Sequence, residues 1–141
     1  MCGIAGIVMR NGRPVDEARL DALARAIAHR GPDGVGRFTA GPIGLINTRL
    51  AIIDLKTGDQ PLFDAEGAVL VANGEIYNDP ELRAALVDAP YRTGSDCESP
   101  LRLYRREGTD FAADLRGMYA IALYDPGAGQ VVLARDPFGI K

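Results

Sequence analysis

Met1-Cys2-Gly3-Ile4-Ala5-Gly6-Ile7-Val8 opens the chain. The stretch reads as a short, mostly apolar strand that begins at the terminus itself. Cysteine stands second, and a small residue after an initiator methionine is ordinarily exposed by methionine removal. Cys2 then carries both a thiol and a free α-amino group. Their reference pKa values are about 8.5 and about 7.7–8.0, so both exchange protons near neutrality. An N-terminal amine acting as base for its own side-chain nucleophile is a known arrangement, and it needs no histidine. Cysteine is equally at home as a small buried hydrophobe, so Cys2 alone decides nothing.

Working outward, Asn11-Gly12 marks a turn. Asp16 to His29 then has helical spacing, with Leu20, Leu23 and Ile27 on one face. Arg30-Gly31-Pro32-Asp33-Gly34 stops that helix. It lacks the lysine of a phosphate-binding loop and has no strand before it, so it reads as a structural bend. Strands are expected around Gly36–Thr39, Ile43–Asn47, Leu50–Leu55 and Ala68–Ala72, the last ending in a turn at Asn73-Gly74. Asp79 caps a short helix with Pro80 in its first position, and Ser95-Asp96-Cys97-Glu98 fits a capping box before a helix over Pro100–Glu107. Asp110–Leu115 looks helical. Met118–Asp125 and Gln130–Arg135 form a hairpin around Pro126–Gly129.

Composition narrows the function. The 141 residues carry a formal charge of −3, with 16 basic and 19 acidic side chains and 25% charged residues overall. That is ordinary for one globular domain. Nucleic-acid binders present a basic stripe, and here only Arg102, Arg105 and Arg106 cluster. No apolar run approaches the roughly 20 residues that span a bilayer. Two cysteines make no disulfide framework and point to a reducing, cytoplasmic setting. A single histidine, His29, and no carboxylate cluster leave little for a metal site.

Groups that would complete a site around Cys2 are nevertheless present. Asn73 and Gly74 offer an amide and a backbone N–H, the two donors an oxyanion needs. Arg49 precedes an apolar run and has the fork that grips a carboxylate. Asp96 reads as an ordinary helix-dipole residue unless a free amino acid demands it. An α-ammonium group would do so, with Glu75 as a second anion.

Taken together, Met1–Ile7, His29–Gly34, Arg49–Leu55, Asn73–Asn78, Gly94–Glu98, Gly117–Ala120 and Ala134–Lys141 resemble the glutaminase domain of class II glutamine amidotransferases. The asparagine synthetase branch, glutamine-hydrolysing, is the better match. The resemblance implies an α+β, four-layer α/β/β/α N-terminal nucleophile hydrolase sandwich with two antiparallel sheets, here C-terminally truncated at Lys141 because family members continue with further strands. Cys2 would be nucleophile and its amine the base, with Asn73 and Gly74 as the oxyanion hole. Arg49 would bind the glutamine α-carboxylate, Glu75 and Asp96 its ammonium, and the backbone of Leu50, Ile52 and Ile53 would line the pocket. L-glutamine is the implied ligand. A synthetase domain in cis or in trans is the implied partner, with a homodimer as a further arrangement. No cofactor or metal is implied for glutamine hydrolysis; ATP and magnesium belong to the absent synthetase domain, which would make asparagine from aspartate. The other readings are a different ammonia acceptor and a glutamine-binding module without turnover.

Overall fold

A computed structural model describes residues 2–87 and 90–141; Met1 of the opening stretch lies outside them. Strand β1 (Gly3–Val8) leads to helix α1 (Glu17–Ile27), then strands β2 (Gly34–Ala40) and β3 (Ile43–Arg49). After a loop come β4 (Leu62–Phe63), β5 (Val69–Ile76), α2 (Asp79–Ala85) and α3 (Glu98–Glu107). Strands β6 (Gly117–Asp125) and β7 (Gln130–Arg135) close the chain as a hairpin. Short 3-10 turns follow α1 (Ala28–Arg30) and α3 (Gly108–Asp114).

Two sheets result, ordered β1-β3-β2 and β4-β5-β6-β7, and every pairing is antiparallel. Side-chain alternation sorts each central strand into two faces. On β3, Ile43 and Leu45 face β5 and β6, where they meet Val69, Val71 and Ala122. The next residue, Ile46, faces α1 and packs on Leu20 and Ala24. On β5, Leu70 and Ala72 turn the other way, toward Leu101 and Leu103 of α3. The layers are therefore α/β/β/α, the expected sandwich. Each fully buried aliphatic side chain among these contributes about 1.5–3 kcal/mol. Among the described residues no helix is long and apolar enough to cross a membrane.

Local chemistry explains the element ends. The Asp16 carboxylate caps α1 by accepting from Ala18 N at 2.9 Å. Gly108 ends α3 at φ +63°, a conformation other residues avoid. The capping box at Ser95–Glu98 is not formed. Instead the Glu98 carboxylate, almost fully buried, accepts from Arg92 N (2.9 Å), Thr93 N (2.8 Å), Thr93 Oγ1 (2.7 Å) and Arg102 Nη2 (2.6 Å). Burial pushes its pKa up, but those donors outweigh it and hold the carboxyl below the ordinary 4.5.

A lowered folded pKa means that Glu98 stabilises the protein above the unfolded value. That contribution drains away as the pH falls below 4.5 and through the lower folded value. Glu98→Gln leaves Arg102 without its buried counter-ion and is expected to cost about 3 kcal/mol in urea unfolding at pH 7. The gap to wild type should shrink as the pH falls below 4.5; a constant gap would contradict this origin.

Three further expectations are corrected. Asn73-Gly74 is not a turn, because β5 runs straight through it, with Asn73 opposite Ala120 and Gly74 opposite Tyr119. Glycine is required there by proximity: a Cβ at Gly74 would lie 2.3 Å from Met118 O. Leu50–Leu55 is not a strand but an irregular loop, with Ile52 and Leu55 exposed. Its carbonyls at Ile53 and Asp54 bend back to accept from the Arg49 guanidinium, so they are not available to a ladder. At α2 the N-cap is Asn78, one residue before the expected Asp79, and its side chain bridges to Asp114 O and Arg116 N instead of capping.

Candidate active site

The inter-sheet face of β5 is apolar at Val69 and Val71 and polar at Asn73 and Glu75. At that polar end lies a pocket. It is lined by Cys2, Arg49, Leu50, Ile52, Ile53, Asn73, Gly74, Glu75 and Asp96, all the positions singled out in the sequence. Gly58, Gln60, Ala72, Ser95, Cys97, Met118 and Lys141 complete it.

Cys2 immediately precedes β1, whose first residue pairs with Thr48 of β3. Its Sγ accepts from Leu50 N at 3.4 Å, and its carbonyl accepts from Arg30 Nε at 3.2 Å. The bend at Arg30–Gly34 is thus a buttress. Gly31 lies so close to β3 that a Cβ would meet Thr48 O at 2.3 Å. Asp33 N donates to Arg49 O (2.9 Å), and the Asp33 carboxylate accepts from Ala51 N (2.8 Å). Both ends of the Arg49-Leu50 backbone are pinned beside the Cys2 thiol.

N–H groups alternate sides along a strand, so those of Ala72, Gly74 and Ile76 share one edge of β5. Gln60 Oε1 accepts from Ala72 N at 2.6 Å, and Asp96 Oδ2 accepts from Ile76 N at 2.6 Å. The Gly74 N–H lies on that edge between them, at the pocket, beside the Asn73 side chain. This pairing of donors can receive a developing oxyanion.

Arg49, at the end of β3, is 9% exposed. Its Nη1 donates to Asp59 Oδ1 at 2.6 Å, and Nη2 reaches the carbonyls of Asp54 and Ile53. These bonds fix the fork, and a guanidinium has further donors to offer. Asp96, across the pocket, is 7% exposed. Burial raises its pKa against the opposing Ile76 N–H, and the carboxylates of Asp79 and Glu75 raise it further. A site that destabilises a buried carboxylate anion is poised for a cation.

Sequence reasoning missed Gln60 and Arg30. Gln60 sits in no expected element, and its Oε1 also accepts from Asn47 Nδ2 (3.1 Å), tying the two sheets at the pocket floor. Cys97 borders the pocket but is buried, and burial pushes its thiol pKa well up. Among the described residues no group of three or more His, Cys, Asp or Glu is placed to hold a metal ion.

Comparison with known proteins now decides the family. A glutamine amidotransferase domain model matches residues 1–141. The chain belongs to the glutamine amidotransferase domain family. It is 41% identical over 145 residues to glutamine-hydrolysing asparagine synthetase 2 of Bacillus subtilis (strain 168), covering 100% of this chain and 19% of that protein. It is 44% identical over 142 residues to the glutamine-hydrolysing asparagine synthetase of Asparagus officinalis, covering 99% of this chain and 24% of the relative. For glutamine-hydrolysing asparagine synthetase B of Escherichia coli (strain K12) the identity is 42% over 144 residues, covering 99% and 26%. The chain thus spans about a quarter or less of these relatives' length.

Proposed function

We propose that this domain hydrolyses L-glutamine to glutamate and ammonia through an N-terminal Cys2. The observation that carries the reading is the convergence of thiol, oxyanion donors, a fixed guanidinium and a buried carboxylate on one pocket. After methionine removal the Cys2 amine takes the thiol proton, and Sγ attacks the glutamine side-chain amide carbon. Asn73 and the Gly74 N–H stabilise the oxyanion. Collapse breaks the C–N bond, and ammonia leaves with a proton returned by the terminal ammonium. Water then cleaves the thioester, giving glutamate and the free thiol.

Arg49 holds the α-carboxylate, while Asp96 and Glu75 hold the α-ammonium. Leu50, Ile52 and Ile53 form the wall between these ends. The ammonia is destined for an ATP-dependent amide synthesis, with aspartate the acceptor, by a synthetase region in cis or in trans. Residues 1–141 would form the glutaminase part of that system, in the cytoplasm. ATP and magnesium would serve that synthetase region, and no step at this pocket calls on either.

Glutamate release from glutamine tests the reading directly, with asparagine and D-glutamine as controls; hydrolysis of neither L- nor D-glutamine would refute it. Arg49→Lys keeps the charge but loses the fork that serves Asp59, the loop carbonyls and substrate together. Its expected effect is a rise of about 10–100-fold in KM with little change in kcat. An unchanged KM would remove Arg49 from the carboxylate site.

A further inference from the structure

Asp54 belongs to the Arg49–Leu55 stretch, yet nothing in the reaction above uses it. Among the described residues it is the only non-glycine with positive φ, at +50°. Such a conformation is held by surrounding contacts, and here they run to both ends of the pocket. Its backbone carbonyl accepts from Arg49 Nη2 and, at 3.2 Å, from Gly58 N. Its carboxylate accepts from Thr57 N at 2.9 Å and from the Thr57 hydroxyl. It also accepts from Gly94 N, 40 residues away in sequence, at 2.8 Å. Gly94 begins the Gly94-Ser95-Asp96 segment, whose Asp96 carboxylate is bonded to β5.

Two glycines show how close this fit is. A Cβ at Gly58 would meet Asp54 O at 2.8 Å and Arg49 Nη2 at 2.9 Å. A Cβ at Gly94 would meet the Asp54 carboxylate carbon at 3.3 Å. The loop therefore closes on Arg49 on one side and on the Asp96 segment on the other through Asp54, with Thr57 Oγ1 as a second acceptor for Gly94 N at 3.2 Å.

We infer that Asp54 is a positioning residue that fixes the distance between Arg49 and Asp96, and so sets the fit to an α-amino acid. This rests on the glutamine reading above. Asp54 touches neither thiol nor oxyanion donors, so it acts on binding and not on the bond-breaking step.

The test uses the diazoketone analogue of glutamine, which alkylates the thiol irreversibly, so that saturation kinetics separate the half-saturating concentration from the maximal rate. Asp54→Asn keeps the size and the tolerance of positive φ but turns an N–H donor toward Gly94 or Thr57. Its half-saturating concentration is expected to rise about tenfold or more, with the maximal rate within about threefold of wild type. Gly94→Ala pushes on the same contact with Asp54 intact and should shift the same parameter in the same direction. Alkylation by iodoacetamide, which has no amino-acid end, should be unchanged in both and reports a folded, reactive Cys2.

Wild-type half-saturation in both variants would overturn the positioning role, as would loss of maximal rate alone. Wild type that reacts with iodoacetamide but never saturates with the analogue would overturn the glutamine reading itself, and the role of Asp54 with it.

Discussion

Cys2→Ala is expected to abolish glutamine hydrolysis, lowering kcat by at least about 10⁴-fold, because nucleophile and base sit on one residue and the substitution removes the nucleophile. Stability should change little. The thiol is half-buried, and its hydrogen bonds are weak ones to the Leu50 backbone, accepting from N at 3.4 Å and donating to O at 3.7 Å. Cys97 cannot take over: burial raises its pKa, so the thiolate needed for attack is scarce. Cys97→Ala should accordingly keep turnover. Glutamate release by the Cys2→Ala protein at more than a few per cent of the wild-type rate would place the chemistry elsewhere.

Asp96→Asn is expected to act in opposite directions on binding and on stability. Removing a buried anion that faces an ammonium should weaken glutamine-analogue binding by about 100-fold or more. The same change should stabilise the ligand-free protein by roughly 0.5–2 kcal/mol. The sign follows from the raised pKa of Asp96. Burial first, then Asp79 and Glu75, make its charged form costly in the folded state, so ionisation at neutral pH works against folding. Asparagine removes that charge and still offers an oxygen to Ile76 N. For Asp96 the wild-type chain regains this stability as the pH falls from the raised folded value toward 3.8, opposite to Glu98. Urea unfolding of both proteins at pH 7, with analogue titration, checks the pair of effects. A variant that is destabilised yet binds normally would make Asp96 a structural residue only.

The elements with strong local periodicity were legible in the sequence. Strand β1, helix α1 and the β6–β7 hairpin lie close to where alternation and turn residues put them. The failures share a cause, which is long-range contact overriding a local signal. Asn73-Gly74 has the composition of a turn, but β6 supplies a partner along its whole length, and Gly74 is small because Met118 and Tyr119 pass so close. Leu50–Leu55 has the apolar run of a strand, but Arg49 takes its carbonyls and Asp54 bends it. Strand β4, two residues long, is below what pattern can reveal.

For the pocket, the chemical types were readable because an amino-acid site needs a cation, anions and donors around a nucleophile. Their supports were not. Gln60, Arg30 and Asp54 act through contacts made across 12 to 40 residues of chain, and no local spacing announces them. Asp96 illustrates the middle case. It sits where a helix-dipole residue would, two positions before α3, but its carboxylate is spent on β5.

The central claim is that Cys2 is a free N-terminal nucleophile within a formed glutamine site. Intact mass measured before and after the diazoketone analogue tests it most directly, with Cys2→Ala alongside. The account predicts a wild-type chain lacking Met1 that gains one adduct, and a Cys2→Ala chain that gains none. A processed, folded wild-type chain without an adduct, or an adduct that persists in Cys2→Ala, would contradict it.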